Sequence, residues 1–161
     1  FSYGRDPQRF FLGGMSNWIN RKFVNSVIWI SVKDLYFSEF ITPLRGANFY
    51  ERTGDRFFLT NLEFRFPLIR YFLLGWPLPI YFQNIRGVMF TDVGAAWYKG
   101  ERDFFTRDKY GYVKFRDLFL GYGMGARINL GLFLLRIDVA WSYDMISTSK
   151  PKYYFSLGTD F

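Results

Sequence analysis

The run Arg56-Phe57-Phe58-Leu59-Thr60-Asn61-Leu62-Glu63-Phe64-Arg65-Phe66-Pro67-Leu68 decides the fold class. Its period is two. Phe58, Thr60, Leu62, Phe64, Phe66 and Leu68 fall on one face, and Asn61, Glu63 and Arg65 on the other. Alternation at 180° per residue is the signature of a strand, because successive side chains leave opposite faces of a pleated backbone. In a soluble sheet the apolar face meets a core and the polar face water. In a transmembrane barrel the apolar face meets lipid and the polar face a wet lumen. The pattern by itself fits both.

The same period recurs downstream. Arg86 to Trp97 sets Met89, Thr91, Val93, Ala95 and Trp97 against Val88, Phe90, Asp92, Gly94 and Ala96, with Asp92 the one charge on its face. Leu118 to Leu130 sets Leu120, Tyr122, Met124, Ala126 and Ile128 against Gly121, Gly123, Gly125, Arg127 and Asn129. Three glycines on one face are costly inside a strand, which implies that something packs closely against that wall or that the sheet bends there. Leu132 to Tyr143 and Tyr153 to Phe161 complete the set. At roughly 9–12 residues, these strands have the length a tilted strand needs to cross a bilayer.

Connections alternate in character. Tyr98 to Lys114 is long and charged, Asn129-Leu130-Gly131 is tight, and Asp144 to Pro151 is polar. Outer-membrane barrels have long outer loops and short inner turns. The exception is Leu68 to Asn84, which reads as a longer apolar connection carrying Trp76 at an interface. Trp97, Trp141 and Tyr143 fit girdle positions at the outer interface. The first 55 residues are less regular: Arg9 to Leu12 ends a strand, and Val24 to Val32 is a strand or part of a long loop.

Composition narrows the function classes. Of 161 residues 24% are aromatic, 21 of them Phe and 12 Tyr, and 22% are charged. Mean hydropathy is near zero. The charge-free stretch from Tyr71 to Ile85 is shorter than the ~18–20 apolar residues of a spanning helix and holds Pro77 and Pro79. The absence of Cys excludes disulfides and thiol chemistry, and the absence of His removes the common nucleophile pairs and most zinc sites. No catalytic residue, metal site or cofactor is expected, and an outer-membrane hydrolase lacks an obvious base. The net charge of +7 suits anionic lipid headgroups. Lys and Arg are scattered singly, so nucleic acid is not among the expected partners. The chain opens on Phe1, mid-pattern, and reads as a piece whose N-terminal part is missing.

Together, Leu44-Arg45-Gly46, Asn61-Leu62-Glu63-Phe64-Arg65-Phe66-Pro67, Phe10-Phe11-Leu12-Gly13-Gly14 and Phe90-Thr91-Asp92-Val93-Gly94 carry a resemblance. Gly121 to Arg127 and the terminal Phe155 to Phe161 extend it. In order and spacing they resemble the BamA-like superfamily, or bacterial surface antigen family. The resemblance implies an all-β fold, an antiparallel transmembrane β-barrel of which residues 1–161 supply the C-terminal strands of a larger, 16-stranded barrel. It also implies a long loop at about 14–54 folded into the lumen. A complete eight-stranded barrel is the alternative architecture, and a soluble sandwich with core aromatics is the alternative to a barrel. The resemblance implies a lumenal Leu44-Arg45-Gly46 tip that meets Glu63, Arg65 and Asp92, and a C-terminal signature of Tyr153, Phe155, Leu157 and Phe161 for insertion at the bacterial outer membrane.

The function implied is outer-membrane protein assembly or translocation. The alternative is a structural or binding barrel that anchors a periplasmic domain without translocase activity. About thirty residues, including Asn17-Trp18, separate Gly14 from Leu44, and this spacing resembles the branch in which a periplasmic β-propeller precedes the barrel. Implied partners are the lipid bilayer and lipopolysaccharide, the N-terminal strands of the same barrel, client outer-membrane or secreted proteins, and a periplasmic domain or accessory chains.

The residues alone support a weaker statement about Arg45. An arginine at a loop tip is ordinarily solvated. Two carboxylates expected on the same face of adjacent strands, Glu63 and Asp92, give its fork of donors a place to bind. The loop is expected to be tied down by polar contacts, since a polar wall offers few apolar ones.

Overall fold

A computed structural model describes residues 8–15, 38–41, 43–75, 77, 80–130 and 133–158. In chain order the strands are β1 (Arg9–Leu12), β2 (Ser38–Ile41), β3 (Arg52–Gly54), β4 (Arg56–Leu74) and β5 (Ile80–Trp97). They continue with β6 (Phe105–Arg107), β7 (Val113–Phe115), β8 (Leu118–Asn129), β9 (Leu134–Tyr143) and β10 (Lys152–Gly158). The main element is a five-stranded sheet in the order β10-β9-β8-β5-β4, with every neighbouring pair antiparallel. Among the described residues no helix is long and apolar enough to cross a membrane, a statement that does not bear on strands.

The expected register of the alternating runs is the register found. Asn61 lies opposite Asp92 and Glu63 opposite Phe90, so the polar face of β4 continues into Phe90, Asp92 and Gly94 of β5. Asp92 in turn pairs with Gly121, and Gly121 with Ser142. One face of the sheet is therefore lined by Glu63, Phe90, Asp92, Phe119, Arg127, Asp138, Ala140 and Tyr154. The opposite face carries large apolar side chains that no described residue covers. Leu62 is 70% exposed, Phe64 67% and Tyr153 60%, and Met89, Met124, Phe155 and Leu157 are exposed with them. A contiguous apolar surface of this kind marks contact with a partner or with lipid.

Leu68 to Asn84 differs from expectation. Most of it is not a connection but the continuation of two strands, with β4 running to Leu74 and β5 starting at Ile80. Pairing persists to Leu74 opposite Ile80. The register shifts between Pro67 and Ile69. A shift of one residue exchanges the faces of a strand, so the alternation changes phase there and the period dissolves into what reads as an apolar run. Trp76, Val24 to Val32 and Phe161 lie outside the described residues.

The long charged segment after Trp97 contains the β6–β7 hairpin, with Phe105 opposite Phe115. The irregular N-terminal region also carries more strand than the loop expected at 14–54. β1 pairs antiparallel with β3 and parallel with β2, an exception to an otherwise antiparallel structure. This small sheet packs against the start of β4 and the end of β5. Leu12, Leu44, Ala47, Ala96 and Phe119 form one buried cluster, with Ile41, Phe57 and Leu59 against it. Val88, Phe90, Ala140 and Tyr154 form a second.

Candidate functional site

Residues 43–48 lie across the polar face of the sheet. Leu44 enters first. It exchanges backbone hydrogen bonds with Gly14, at 3.0 and 3.1 Å, and its side chain is fully buried beside Leu12. The wall makes room for it by being small: a Cβ on Gly94 would stand 2.9 Å from Leu12 and 3.0 Å from Leu44. The seat is thus partly apolar, which corrects the expectation of a purely polar tether. Glycine and alanine on the wall create a groove where larger residues would leave a surface.

Arg45 follows and is 3% exposed. Its backbone N–H donates to Asp92 Oδ2 at 3.0 Å, Nε donates to the same oxygen at 2.7 Å, and Nη2 donates to Asp92 Oδ1 at 2.7 Å. Nη1 donates to Glu63 Oε1 at 2.6 Å. The guanidinium carbon lies 3.5 Å from the centre of the Phe90 ring, a stacked cation–π arrangement. Asp92 is wholly buried. A charge so placed is tolerable only when paired and hydrogen-bonded, and Arg45 supplies three bonds to it.

Glu63 links this pair to further charges. Its second oxygen accepts from Arg65 Nε at 3.0 Å and Nη2 at 2.8 Å. Arg127 grips Asp138, Nη1 donating to Oδ1 at 2.5 Å and Nη2 to Oδ2 at 3.1 Å. It also approaches Glu63 Oε1 to 3.7 Å, while Asp138 Oδ2 lies 3.8 Å from Arg45 Nη1. Three guanidiniums and three carboxylates therefore alternate across β4, β5, β8 and β9.

Gly46 turns the chain at φ 85°. Glycine is required there twice over. The left-handed backbone disfavours a side chain, and a Cβ would stand 2.7 Å from the Trp141 carbonyl oxygen. The Gly46 N–H donates to the Tyr154 hydroxyl at 3.0 Å, Tyr154 donates to the Ala47 carbonyl at 3.3 Å, and Lys152 Nζ donates to the Gly46 carbonyl and Asn48 Oδ1, each at 2.8 Å. On the other flank, Asn61 Nδ2 donates to the Pro43 carbonyl at 3.0 Å. At Gly121 a Cβ would collide with the Arg45 carbonyl, so one of the three glycines on that face is explained by close approach of the turn.

Of the residues expected at the site, Leu44, Arg45, Gly46, Glu63 and Asp92 meet. Arg65 does not reach the turn and acts only through Glu63. Tyr153, Phe155 and Leu157 lie on the exposed apolar face. The sequence reading missed Tyr154, Lys152, Asp138 and Arg127. Only Arg127 and Asp138 had a usable signal, since alternation along β8 and β9 sets them, with opposite charge, on the less apolar faces of neighbouring strands.

The family model of the Omp85 superfamily domain matches residues 6–161. The chain belongs to the Omp85 superfamily. No curated protein and no solved structure matches it. The Omp85 superfamily is associated with the bacterial outer membrane and with insertion or translocation of proteins there. Among the described residues of this Omp85 chain, no group of three or more acidic side chains could hold a metal. What the Omp85 arrangement does chemically is hold charge: it pins a turn to a wall through buried, alternating ion pairs.

Proposed function

We propose that this Omp85 chain forms the C-terminal strands of an outer-membrane β-barrel of the assembly and translocation type, and that the Leu44-Arg45-Gly46 turn braces that barrel from within its lumen. The observation that carries the reading is the division of the sheet into two unlike faces. One holds buried charges and a docked turn. The other presents Leu62, Phe64, Met89, Met124 and Phe155 uncovered by any described residue. A bilayer covers such a face, and a closed barrel places the opposite one around a lumen.

The five strands have two edges, β4 and β10, and closure assigns further strands of the same barrel to them. Sixteen strands, lipopolysaccharide contact, client proteins and periplasmic accessory partners belong to this proposal. The deciding experiment is reconstitution of the full-length protein into liposomes with an unfolded outer-membrane client. Accelerated client insertion that Arg45→Ala diminishes supports the reading. Client insertion at the rate of protein-free liposomes refutes the assembly role.

A second reading has one observation in its favour. The spacing of about thirty residues between Gly14 and Leu44 suits a barrel that anchors a periplasmic domain without translocase activity. The same experiment separates the two, since an anchor folds into liposomes and leaves the client rate unchanged.

A further inference from the structure

The β6–β7 hairpin leaves the sheet at the end opposite the β4–β5 and β8–β9 turns, and its base leans over the apolar face. Trp97 ends β5 on the same face as Met89, which is 53% exposed, because alternation sets residues eight apart on one side. The Phe104 ring packs edge-to-face on Trp97, with centroids 5.7 Å apart. The Arg102 guanidinium in turn lies 5.3 Å from the centre of the Phe104 ring. A cation thus stands over the rim of the face that the barrel reading assigns to lipid.

Residues 98–117 hold six basic and four acidic side chains, a net +2. Three of the acids are engaged within the segment. Asp103 accepts from Arg116 Nη1 at 2.8 Å, Asp117 from the Asp103 N–H at 2.8 Å, and Asp108 from the Tyr110 N–H. On the basic side Lys99 and Arg107 are exposed, and neither side chain makes a hydrogen bond or ion pair with a described residue. Lys109 is exposed as well and lies 4.8 Å from the centre of the Tyr110 ring. Around these cations Phe105, Tyr110 and Tyr112 are 54%, 71% and 64% exposed. Open cations interleaved with exposed tyrosines suit a headgroup layer, where the ring sits at the apolar boundary, the hydroxyl stays wet and the cation meets phosphate.

We propose that the β6–β7 hairpin binds the phosphates of the outer-leaflet glycolipid and is the surface through which the chain meets lipopolysaccharide. The inference rests on the outer-membrane reading and is independent of translocase activity. Contact between Phe104 and Trp97 fixes the base of the hairpin at the rim of the lipid-facing wall, so its cations stand at the depth of the headgroups. A phosphate-bearing glycolipid supplies a layer of negative charge there. Separate exposed cations read such a layer as a field, without one fitted pocket. An acidic protein would meet the same charges, but continuity with the apolar face favours a lipid.

The test uses the full-length protein folded in a zwitterionic detergent, with heat-modifiable gel mobility confirming that each variant is folded. Uptake of diphosphoryl lipid A from mixed micelles is titrated, with dephosphorylated lipid A and phosphatidylcholine as controls. Saturable binding of the phosphorylated form is expected, falling as salt rises. Arg107→Gln and Lys109→Gln should each weaken it about fivefold, the effect of one cation at an anionic surface. Arg107→Lys should bind as wild type does, since a field reads charge and not the planar fork. Arg70→Gln, toward the opposite end of the sheet, should be silent. Equal binding of the two lipid A forms, equal binding by wild type and Arg107→Gln/Lys109→Gln, or a preference for an oligoglutamate peptide would overturn this inference while leaving the barrel reading intact. Failure of the wild-type protein to fold in detergent or vesicles would overturn both.

Discussion

Arg45 and Asp92 are joined by three hydrogen bonds, one from the backbone and two from the guanidinium, between side chains that are almost completely buried. The aspartate sits in mid-strand on β5 and the arginine on a turn 47 residues earlier. Arg45 is answered by Glu63 as well, but among the described residues Asp92 has no other hydrogen-bond partner, and removing Arg45 strands a buried carboxylate.

That dependence sets the cost of Arg45→Ala. Breaking one partner out of a buried pair costs about 3–5 kcal/mol, because the remaining charge is uncompensated. Arg45→Lys should recover only part of it, since an ammonium cannot bond Asp92 and Glu63 through a planar fork. The double variant Arg45→Ala/Asp92→Ala should be less destabilised than the sum of the single variants. Urea unfolding of the protein in lipid vesicles, read by gel mobility, checks all three. A loss below about 0.5 kcal/mol for Arg45→Ala, the size of an ordinary surface change, means that the turn braces nothing.

Gly46→Ala puts a methyl group against the Trp141 carbonyl on a left-handed backbone. Strain of this kind costs about 1–3 kcal/mol, and the turn can relieve it only by lifting from β9. Proteolysis should then reach residues 43–48 in the folded protein. Resistance equal to that of wild type would contradict the close approach.

Tyr154→Phe leaves the Gly46 N–H without its acceptor and should cost about 1–3 kcal/mol, the penalty for an unmet buried donor. Tyr153→Phe, one residue away on the opposite face, should be nearly silent. Equal effects at the two positions would show that the register of β10 is wrong.

Met89→Arg and Met124→Arg distinguish lipid from water on the exposed apolar face. Both positions are more than half exposed. In a soluble sheet an arginine there changes stability by about 0.5 kcal/mol or less, whereas near the middle of a bilayer it costs about 2–4 kcal/mol. Equal stability of wild type and variants in vesicles rules out a lipid-facing surface.

One pH effect falls outside the strands. Asp144 is held below its ordinary value near 3.8, chiefly by the Ser147 N–H and also by the Ile146 N–H. A depressed carboxylate contributes local stability that is present above the unfolded value and lost as pH falls through the folded one. Amide exchange at Ser147 should therefore be slow at neutral pH and rise below about pH 4. Asp144→Asn should make that exchange insensitive to acid, and an acid-induced rise that persists in this variant would assign the effect elsewhere.

How much of this was legible in the sequence depended on how local the cause was. The faces of Arg56 to Leu68 follow from alternation alone, and with them the shared face of Glu63 and Asp92, the carboxylates that Arg45 meets. Three glycines between Gly121 and Gly125 announced a close approach, and Gly121 has one. The far half of the β4–β5 hairpin was illegible because the register shift at Pro67/Ile69 reverses the pattern, and apolar residues then stand on both faces. Tyr154 and Lys152 were illegible for a different reason. Their role depends on where β10 falls relative to a turn about 106 residues earlier, and no periodicity encodes that distance.

The docked turn touches β4 through Asn61 and Glu63, β5 through Asp92, β8 at Gly121, β9 at Trp141 and β10 through Tyr154 and Lys152. A receptor built from five strands has no existence before the last of them is laid down. The turn precedes all five of these strands in the chain, yet its full set of contacts requires β10. A chain halted before Tyr154 arrives leaves the Gly46 N–H without its acceptor and the Ala47 carbonyl without its donor. Through this single contact surface, the order in which the wall is built governs when its interior locks.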